Sequence, residues 1–222
     1  MKKAPLIVSV FVGVVLFVAP VYAAAVRCPT PPRAQKKINY IFFSFFAQDA
    51  TLGKHIPSTL VLIDPSYVKN RAPRCLTKQT YTAFKQLYTA AKSATGQTLI
   101  ITSAWRSFET QQYFATTRPE FSAIPGRSEH QLGTTVDLHI LEAKEDEAFG
   151  STTMYTWMTM HAHEYGFVQS FSARDETITG IPNEPWHWRF VGKTIATKVH
   201  KENLNINTYL FERNEAKKRA IR

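Results

Sequence analysis

Two short segments of the chain alternate strictly between apolar and polar residues. In residues 134–140, Asp137 stands at the centre of such an alternation, with an apolar residue on either side of it. In residues 186–190, His187 and Arg189 alternate with two tryptophans and a phenylalanine. Because successive side chains of a strand point to opposite faces, each segment predicts a strand with one core face and one polar face. If the two strands lie in one sheet, Asp137 and His187 should share its exposed face.

Apolar positions at helical spacing predict three helices. The first begins after Thr77 as N-cap and ends at Gly96, the second covers residues 108–116, and the third runs from residue 151 to a stop at residue 166. Short apolar runs predict further strands at residues 38–46, 60–63, 99–102 and 167–170. Helices and strands are interspersed without the regular alternation of a parallel doubly wound sheet. The pattern therefore predicts an α+β fold with a mainly antiparallel sheet flanked by helices.

The N-terminus has the pattern of a targeting segment. Lys2 and Lys3 precede an apolar run over residues 6–18, and Val21 and Ala23 would occupy the −3 and −1 positions of a cleavage after Ala23. This arrangement predicts an export signal over residues 1–23 that is cleaved after Ala23. An uncleaved anchor is the alternative, because the apolar stretch approaches the ~20 residues that span a membrane. In either case we expect the body of the protein outside the cytoplasm, and at a membrane only if the segment stays uncleaved.

The composition is that of a folded and basic protein. The 222 residues are 44% hydrophobic and include only 9 Gly and 12 Pro, which excludes wholesale disorder and collagen-like repeats. We expect an N-terminal arm over residues 24–58, one domain over residues 59–212 and a basic C-terminal tail over residues 213–222. The net charge of +10 favours an anionic partner such as nucleic acid, anionic lipid or an acidic cell-wall polymer, and export argues against nucleic acid.

Cys28 and Cys75 are the two cysteines of the chain. An even count in an exported protein favours a disulfide, here one that ties the N-terminal arm to the body. Two unpaired thiols are the alternative. A zinc site at these residues is disfavoured, since neither has a second Cys or His at finger spacing.

His130 is a third residue that could join Asp137 and His187. It lies seven positions before Asp137, and a bend at Gly133 could return its imidazole to the polar face. Two imidazoles and one carboxylate are a ligand set of catalytic zinc sites, which keep one position open for water. The alternative is that these common residue types have structural roles.

Glu184 stands three positions before His187, with Pro185 between them. Proline disfavours helical geometry at the preceding residue, so this is not the helical His-Glu-x-x-His arrangement of other zinc peptidases. A turn that leads into a strand fits better. In a continuous strand, residues three positions apart point to different faces, which would separate Glu184 from His187. A turn or bulge at Pro185 could nevertheless direct the carboxylate to the metal site.

Three segments of the chain resemble the motifs of one enzyme family. Residues 128–137 resemble the Ser-x-His-x-x-Gly-x-Ala-x-Asp motif of the VanY-type D-alanyl-D-alanine carboxypeptidases. Residues 184–188 are similar to the family's Glu-x-x-His motif, and residues 103–111 to its Ser-Gly-Tyr-Arg-Ser…Gln segment. The resemblance implies the fold that this family shares with lysostaphin-type peptidases and hedgehog signalling domains. In that fold, an antiparallel sheet flanked by helices carries one zinc ion per chain.

The resemblance also implies roles for individual residues. The zinc ligands would be His130, Asp137 and His187. Glu184 would be the general base, and Arg106 would stabilise the oxyanion.

Three further residues would bind or line the substrate. Ser128 and Gln111 are expected to contact it, and Trp186, which alternation places on the core face, could line the substrate groove as in the family. Two departures from the motifs bear on specificity: Thr135 stands where the family usually has Ala, and residues 104–105 are Ala-Trp instead of Gly-Tyr. Neither departure removes a ligand, the base or the oxyanion group.

The resemblance implies an exported zinc peptidase, in the periplasm or cell envelope of a bacterium, that removes the C-terminal D-alanine from peptidoglycan stem peptides. An L,D-carboxypeptidase or a cell-wall endopeptidase on the same fold is one alternative, because the motifs imply hydrolysis without specifying the bond. A zinc-stabilised, non-catalytic wall-binding module is another, since a fold does not imply activity. The presence of Glu184 and Arg106 argues against such a module, which needs neither.

Overall fold

The computed structural model describes residues 26–35, 38, 51–119, 122–143 and 148–221. The expected export signal at 1–23, and all but the first residue of the expected strand at 38–46, lie outside these residues. Within the described part of the chain, no helix has both the length and the hydropathy that crossing a membrane requires.

A four-stranded antiparallel sheet supports the site. Two strands that precede it in the chain, β1 (Leu60–Leu62) and β2 (Cys75–Thr77), form a separate antiparallel pair. The strands of the main sheet are β3 (Leu99–Ser103), β4 (Thr135–Ile140), β5 (Phe167–Gln169) and β6 (His187–Phe190). Their spatial order is β3-β4-β6-β5, and all three pairings are antiparallel, as the α+β prediction requires.

Helices lie before, between and after these strands. The described residues form α1 (Lys78–Thr95), α2 (Phe108–Thr117), α3 (Thr153–His161), α4 (Glu176–Thr179), α5 (Lys193–Lys201) and α6 (Ile206–Ile221). Both predicted ends of α1 are confirmed, because the Thr77 side chain caps its N-terminus and Gly96 ends it in the left-handed conformation. The third helix begins slightly later than predicted, with Thr152 instead of Ser151 as N-cap. The expected domain boundary after residue 212 lies within α6, so the basic residues beyond it continue a helix.

One face of the main sheet packs against α1 and α3. Val136 and Leu138 of β4 lie on this face and have no exposed surface. The helices contribute further buried side chains, among them Phe84, Leu87, Met154 and Met158. Full burial of side chains of this size stabilises a fold by roughly 1.5–3 kcal/mol each. This core therefore fixes the strands whose other face carries the polar residues.

The opposite face of the sheet carries Asp137 and His187 side by side. Asp137 pairs with His187 and Thr135 pairs with Arg189 across β4 and β6, which confirms the prediction that these residues share a face. The prediction that this face is exposed was wrong, since Arg189 has no exposed surface and His187 is buried. The physical reason is that β5 places Val168 beside Arg189, and Val168 packs with apolar residues of α5 and α6 over this part of the sheet.

The N-terminal arm is fastened to the body beside the site. Cys28 and Cys75 form a disulfide, as the cysteine count predicted. Cys75 lies in β2, and its carbonyl oxygen accepts a hydrogen bond from Trp105 N at 2.9 Å. A second attachment comes from Gln131, whose Nε2 donates to the carbonyl oxygen of Gly53 at 2.6 Å. The arm thus contacts the turn that carries His130 directly and is linked through β2 to the loop that carries Arg106.

Candidate active site

A short helical turn holds His130 beside Asp137. Residues Glu129–Leu132 form a 3₁₀ turn that ends at Gly133, whose φ is +68°. The left-handed backbone favours glycine, and a Cβ at this position would in addition lie 2.9 Å from Leu60 Cδ2 and displace that side chain. The chain bends here and enters β4, as the sequence predicted.

The side chains of His130, Asp137 and His187 meet at one point. His130 Nε2 lies 3.2 Å and His187 Nδ1 lies 3.3 Å from the same oxygen, Asp137 Oδ1. One possible ligand atom from each residue lies within 4.8 Å of the other two. Both histidines are buried, while the Asp137 side chain keeps 16% exposure. The three residues could hold one metal ion with a coordination position left open.

The hydrogen bonding of the cluster also fits a cation. His130 Nδ1 lies 2.8 Å from the carbonyl oxygen of Ala104, which can only accept, so Nδ1 carries the hydrogen and Nε2 has a lone pair. Burial, followed by the charge of Arg106, lowers the pKa of His130 and favours this neutral form. Among the described residues, neither His130 Nε2 nor Asp137 Oδ1 has a hydrogen-bond partner, although both are buried. Buried electron-pair donors that face each other in this way are costly unless a cation lies between them.

A tight turn directs Glu184 to the same cluster. His187 N donates to the carbonyl oxygen of Glu184 at 3.1 Å, which closes a four-residue turn with Pro185 at its second position. The turn brings Glu184 Oε2 to 3.4 Å from His187 Nδ1, although strand parity alone would separate them. Burial raises the pKa of Glu184, which suits a carboxylate that accepts a proton near neutral pH.

Arg106 lies beside the cluster and is held in place by Gln111. Arg106 Nη2 is 3.9 Å from Asp137 Oδ2, and Arg106 Nη1 donates to Gln111 Oε1 at 2.8 Å. Gln111 Nε2 in turn donates to the carbonyl oxygen of Ala123 at 2.7 Å, and the Gln111 side chain is fully buried. Both ends of the Gln111 amide are thus bonded within the protein and orient Arg106, while the expected contact of Gln111 with substrate stays a prediction.

The cluster lies in the wall of a cavity of about 560 Å³, a volume typical of sites for small ligands. Ser128 is buried in this wall, and Trp186 lines the cavity with 42% of its surface exposed. Trp186 does not occupy the core face of β6, because that strand begins only at His187 and Trp186 belongs to the preceding turn. Other apolar side chains of the lining are Phe114, Phe171 and Ile181.

His139 is not part of the cluster. It lies two residues beyond Asp137 in β4, and its Nδ1 accepts a hydrogen bond from Ile140 N at 2.9 Å. Its ring lines a second cavity of about 400 Å³, next to Trp186. His139 is thus a wall residue of this second cavity.

Glu129 is a buried neighbour of the cluster that the sequence patterns did not indicate. Its Oε2 lies 2.9 Å from His187 Nε2 and accepts a hydrogen bond from Ser170 Oγ at 2.6 Å, and its Oε1 accepts one from Arg189 Nη1 at 2.8 Å. Burial alone would raise the pKa of Glu129, but the charge of Arg189 and the hydrogen bond from His187 lower it well below its usual range. The one sequence feature that could have indicated a buried carboxylate here is Arg189, a cation that alternates with core residues in β6.

An antiparallel sheet carries two histidines and one aspartate at a cavity. This is the architecture of the D-alanyl-D-alanine peptidase fold. The family model described as VanY, D-alanyl-D-alanine carboxypeptidase, matches residues 73–193. The chain belongs to this family.

Individual relatives agree with this assignment. YodJ of Bacillus subtilis (strain 168), which is named as a carboxypeptidase, is 33% identical to this chain over 179 residues. The match covers 75% of this chain and 65% of the relative. This chain therefore spans slightly less than two thirds of that relative's length. The solved structure of LdcB, an LD-carboxypeptidase, is 32% identical with a TM-score of 0.64, over 72% of this chain and 80% of that chain. A structure of the D,D-pentapeptidase VanY in complex with Zn(II) shares the fold at 23% identity, with a TM-score of 0.65 over 78% and 99% of the two chains.

Proposed function

We propose that this protein is an exported zinc peptidase that hydrolyses the bond to the C-terminal D-alanine of peptidoglycan stem peptides. The observation that carries the proposal is the convergence on one cavity of a possible metal-ligand set, a carboxylate and a guanidinium: His130, Asp137, His187, Glu184 and Arg106. Membership of the VanY family supports a carboxypeptidase. A wall-binding module without activity is less well supported, because it needs neither Glu184 nor Arg106.

Zinc is the metal that fits the ligand set best. Two neutral imidazoles and one carboxylate are typical of catalytic zinc, and the related VanY structure is a complex with Zn(II). The ligands would be His130 through Nε2, His187 through Nδ1 and Asp137 through its carboxylate. When bound, zinc supplies a Lewis acid that polarises the scissile carbonyl and lowers the pKa of water.

Glu184 is placed to move the proton of the reaction. Its carboxylate takes a proton from the attacking water as the new C–O bond forms at the scissile carbonyl carbon. The same carboxyl group then returns the proton to the amine nitrogen as the C–N bond breaks, so the products are a shortened peptide and free D-alanine. The raised pKa of Glu184 brings its proton affinity closer to neutral pH, where both transfers are efficient.

Arg106 is placed to stabilise the negative charge that develops on the carbonyl oxygen. Its side chain lines the cavity, and a guanidinium has five N–H donors, so donors remain for a ligand beside the one bonded to Gln111. Gln111 fixes the guanidinium through Nη1. A donor that is already oriented stabilises an oxyanion without reorganisation during the reaction.

The expected location outside the cytoplasm is part of this proposal. The pattern of residues 1–23 supports export. The disulfide between Cys28 and Cys75 gives independent support, since such bonds persist mainly in oxidising compartments. The basic charge of the chain would attract it to an acidic wall polymer.

An L,D-carboxypeptidase is the second candidate, and one observation favours it. The LD-carboxypeptidase LdcB is 32% identical to this chain in a match that covers 72% of it. Both candidates use the same residues and release the same amino acid. They differ in the residue that precedes the released D-alanine.

Digestion of defined stem peptides separates these candidates. The zinc-loaded protein would be incubated with a pentapeptide that ends in D-alanyl-D-alanine, with the matching tetrapeptide and with a cross-linked dimer, and the products identified by mass spectrometry. Loss of one alanine from the pentapeptide alone supports D,D-carboxypeptidase activity, and loss from the tetrapeptide supports L,D activity. Release of monomers from the dimer would indicate an endopeptidase. No cleavage of any substrate with zinc bound would contradict the proposal in favour of a binding module.

A further inference from the structure

We propose that Glu129 is a positioning residue, which fixes the imidazole of His187 with Nδ1 directed to the metal site, and that Arg189 holds the Glu129 carboxylate for this task. The inference rests on the proposed zinc site. It concerns two residues that the proposed reaction itself does not use.

The contacts of the His187 ring carry the inference. One ring nitrogen, Nε2, lies 2.9 Å from Glu129 Oε2, and the other, Nδ1, lies 3.3 Å from Asp137 Oδ1. A metal-binding imidazole has lost one of its two protons, and because a carboxylate only accepts, a His187 that then bonds to Glu129 carries its hydrogen on Nε2 and keeps the lone pair on Nδ1. This is the tautomer that a metal bound beside Asp137 requires. Carboxylates behind metal-binding histidines commonly have this effect.

Without Glu129, the hydrogen would have better acceptors on the wrong side of the ring. Asp137 Oδ1 and Glu184 Oε2 lie 3.3 Å and 3.4 Å from Nδ1, and either could accept a hydrogen bond from it. The neighbour on another side is the ring of Phe171, at 4.9 Å between ring centroids, which provides no comparable acceptor. Removing Glu129 should therefore shift the hydrogen to Nδ1 and deprive the metal of its ligand atom.

Arg189 explains how a carboxylate can remain ionised in this place. His187 and Arg189 are two residues apart in β6, so their side chains lie on the same face of the sheet. Glu129 bridges them, with Oε2 on His187 and Oε1 on Arg189 Nη1 at 2.8 Å, and all three side chains are buried. A buried carboxylate needs such a paired cation. Ser170 Oγ adds a third contact, at 2.6 Å from Oε2, which further limits rotation of the carboxylate.

The test compares two double variants that both lack the ion pair. In Glu129→Gln with Arg189→Met, the amide oxygen can still accept from His187 Nε2. In Glu129→Ala with Arg189→Met, no acceptor remains at this position. Zinc affinity, measured by competition with a chromogenic chelator at constant pH, should fall on the order of 10- to 100-fold in the Ala pair. The Gln pair should lose clearly less, and equal zinc affinity in both pairs would overturn the inference.

A matched control separates ligand positioning from general loss of stability. Asp175 is another buried carboxylate, which accepts a hydrogen bond from Ser172 Oγ at 2.6 Å and does not belong to the metal cluster. Asp175→Ala should lower the midpoint of thermal unfolding but leave zinc affinity at the parent's value. If Asp175→Ala lowered zinc affinity as much as the Ala pair does, the effect of Glu129 would be stability alone.

The parent protein allows a direct test even if a variant fails to fold. Nitrogen-15 spectra of the zinc-loaded parent, with labelled imidazoles, should show His187 bound through Nδ1 with a hydrogen retained on Nε2. Zinc on Nε2 of His187 would overturn the inference while leaving a zinc site in place. A parent that binds no zinc would overturn the proposed function as well, so the two failures are distinguishable.

Discussion

Reduction of the disulfide between Cys28 and Cys75 should lower the thermal stability of the protein substantially. The two cysteines are 47 positions apart in the sequence. Closing a loop of this length stabilises the folded state by about 4 kcal/mol through the entropy that the unfolded chain loses. For a domain of this size each kcal/mol shifts Tm by about 2–4 °C, so Tm should fall by about 8–16 °C on reduction.

Circular dichroism during heating, with and without a phosphine reductant that does not sequester zinc, measures this shift. Cys28→Ser is the matched control, because it lacks the disulfide and leaves the buried Cys75 unchanged. This variant should unfold near the Tm of the reduced parent, and the reductant should have no further effect on it. A reduced parent that unfolds within about 2 °C of the oxidised one would refute the reasoning, and the arm would then contribute through its other contacts alone.

Three further predictions concern the site. Arg106→Ala should keep its zinc and lose on the order of 10²-fold in kcat, as after removal of one oxyanion donor, and steady-state kinetics with metal analysis would check this. Gln111→Leu should lower kcat by about tenfold with little change in KM, because Arg106 loses a hydrogen bond that orients it. A rise in KM alone would instead make Gln111 a substrate contact. His139→Ala should leave zinc content and kcat at the parent's values, and loss of zinc from it would place His139 among the ligands.

The geometry of the candidate site follows from local patterns to a considerable extent. Alternation with a period of two predicted that Asp137 and His187 share a face, and the register of β4 and β6 places them directly opposite each other. The turn at Pro185 was predicted from the restriction that proline imposes, and it directs Glu184 to the cluster. These features depend on residues close in sequence or on one strand pairing, which is why sequence patterns can predict them.

The support behind the site could not be predicted in this way. Glu129 and Arg189 are 60 positions apart, and their ion pair forms only when the turn before β4 meets β6. The burial of Arg189 depends in addition on α5 and α6, which cover the polar face of the sheet near Val168. No periodic pattern in a strand contains information about a helix that packs on it later in the chain. The bond from Arg106 to Gln111 was not predicted for the same reason, since it is visible only in the folded structure.

Hydrolysis of a stem peptide by the zinc-loaded parent and by its Glu184→Gln variant tests the central claim most directly. Both proteins should contain one zinc ion per chain, because Glu184 is not among the three proposed ligands. The parent should release D-alanine from the peptide, and the variant should do so at least ~10²-fold more slowly, the lower range of a general acid–base contribution. Equal rates in the two proteins, or a parent that binds zinc and releases no D-alanine, would contradict the assignment of this cavity as a peptidase site.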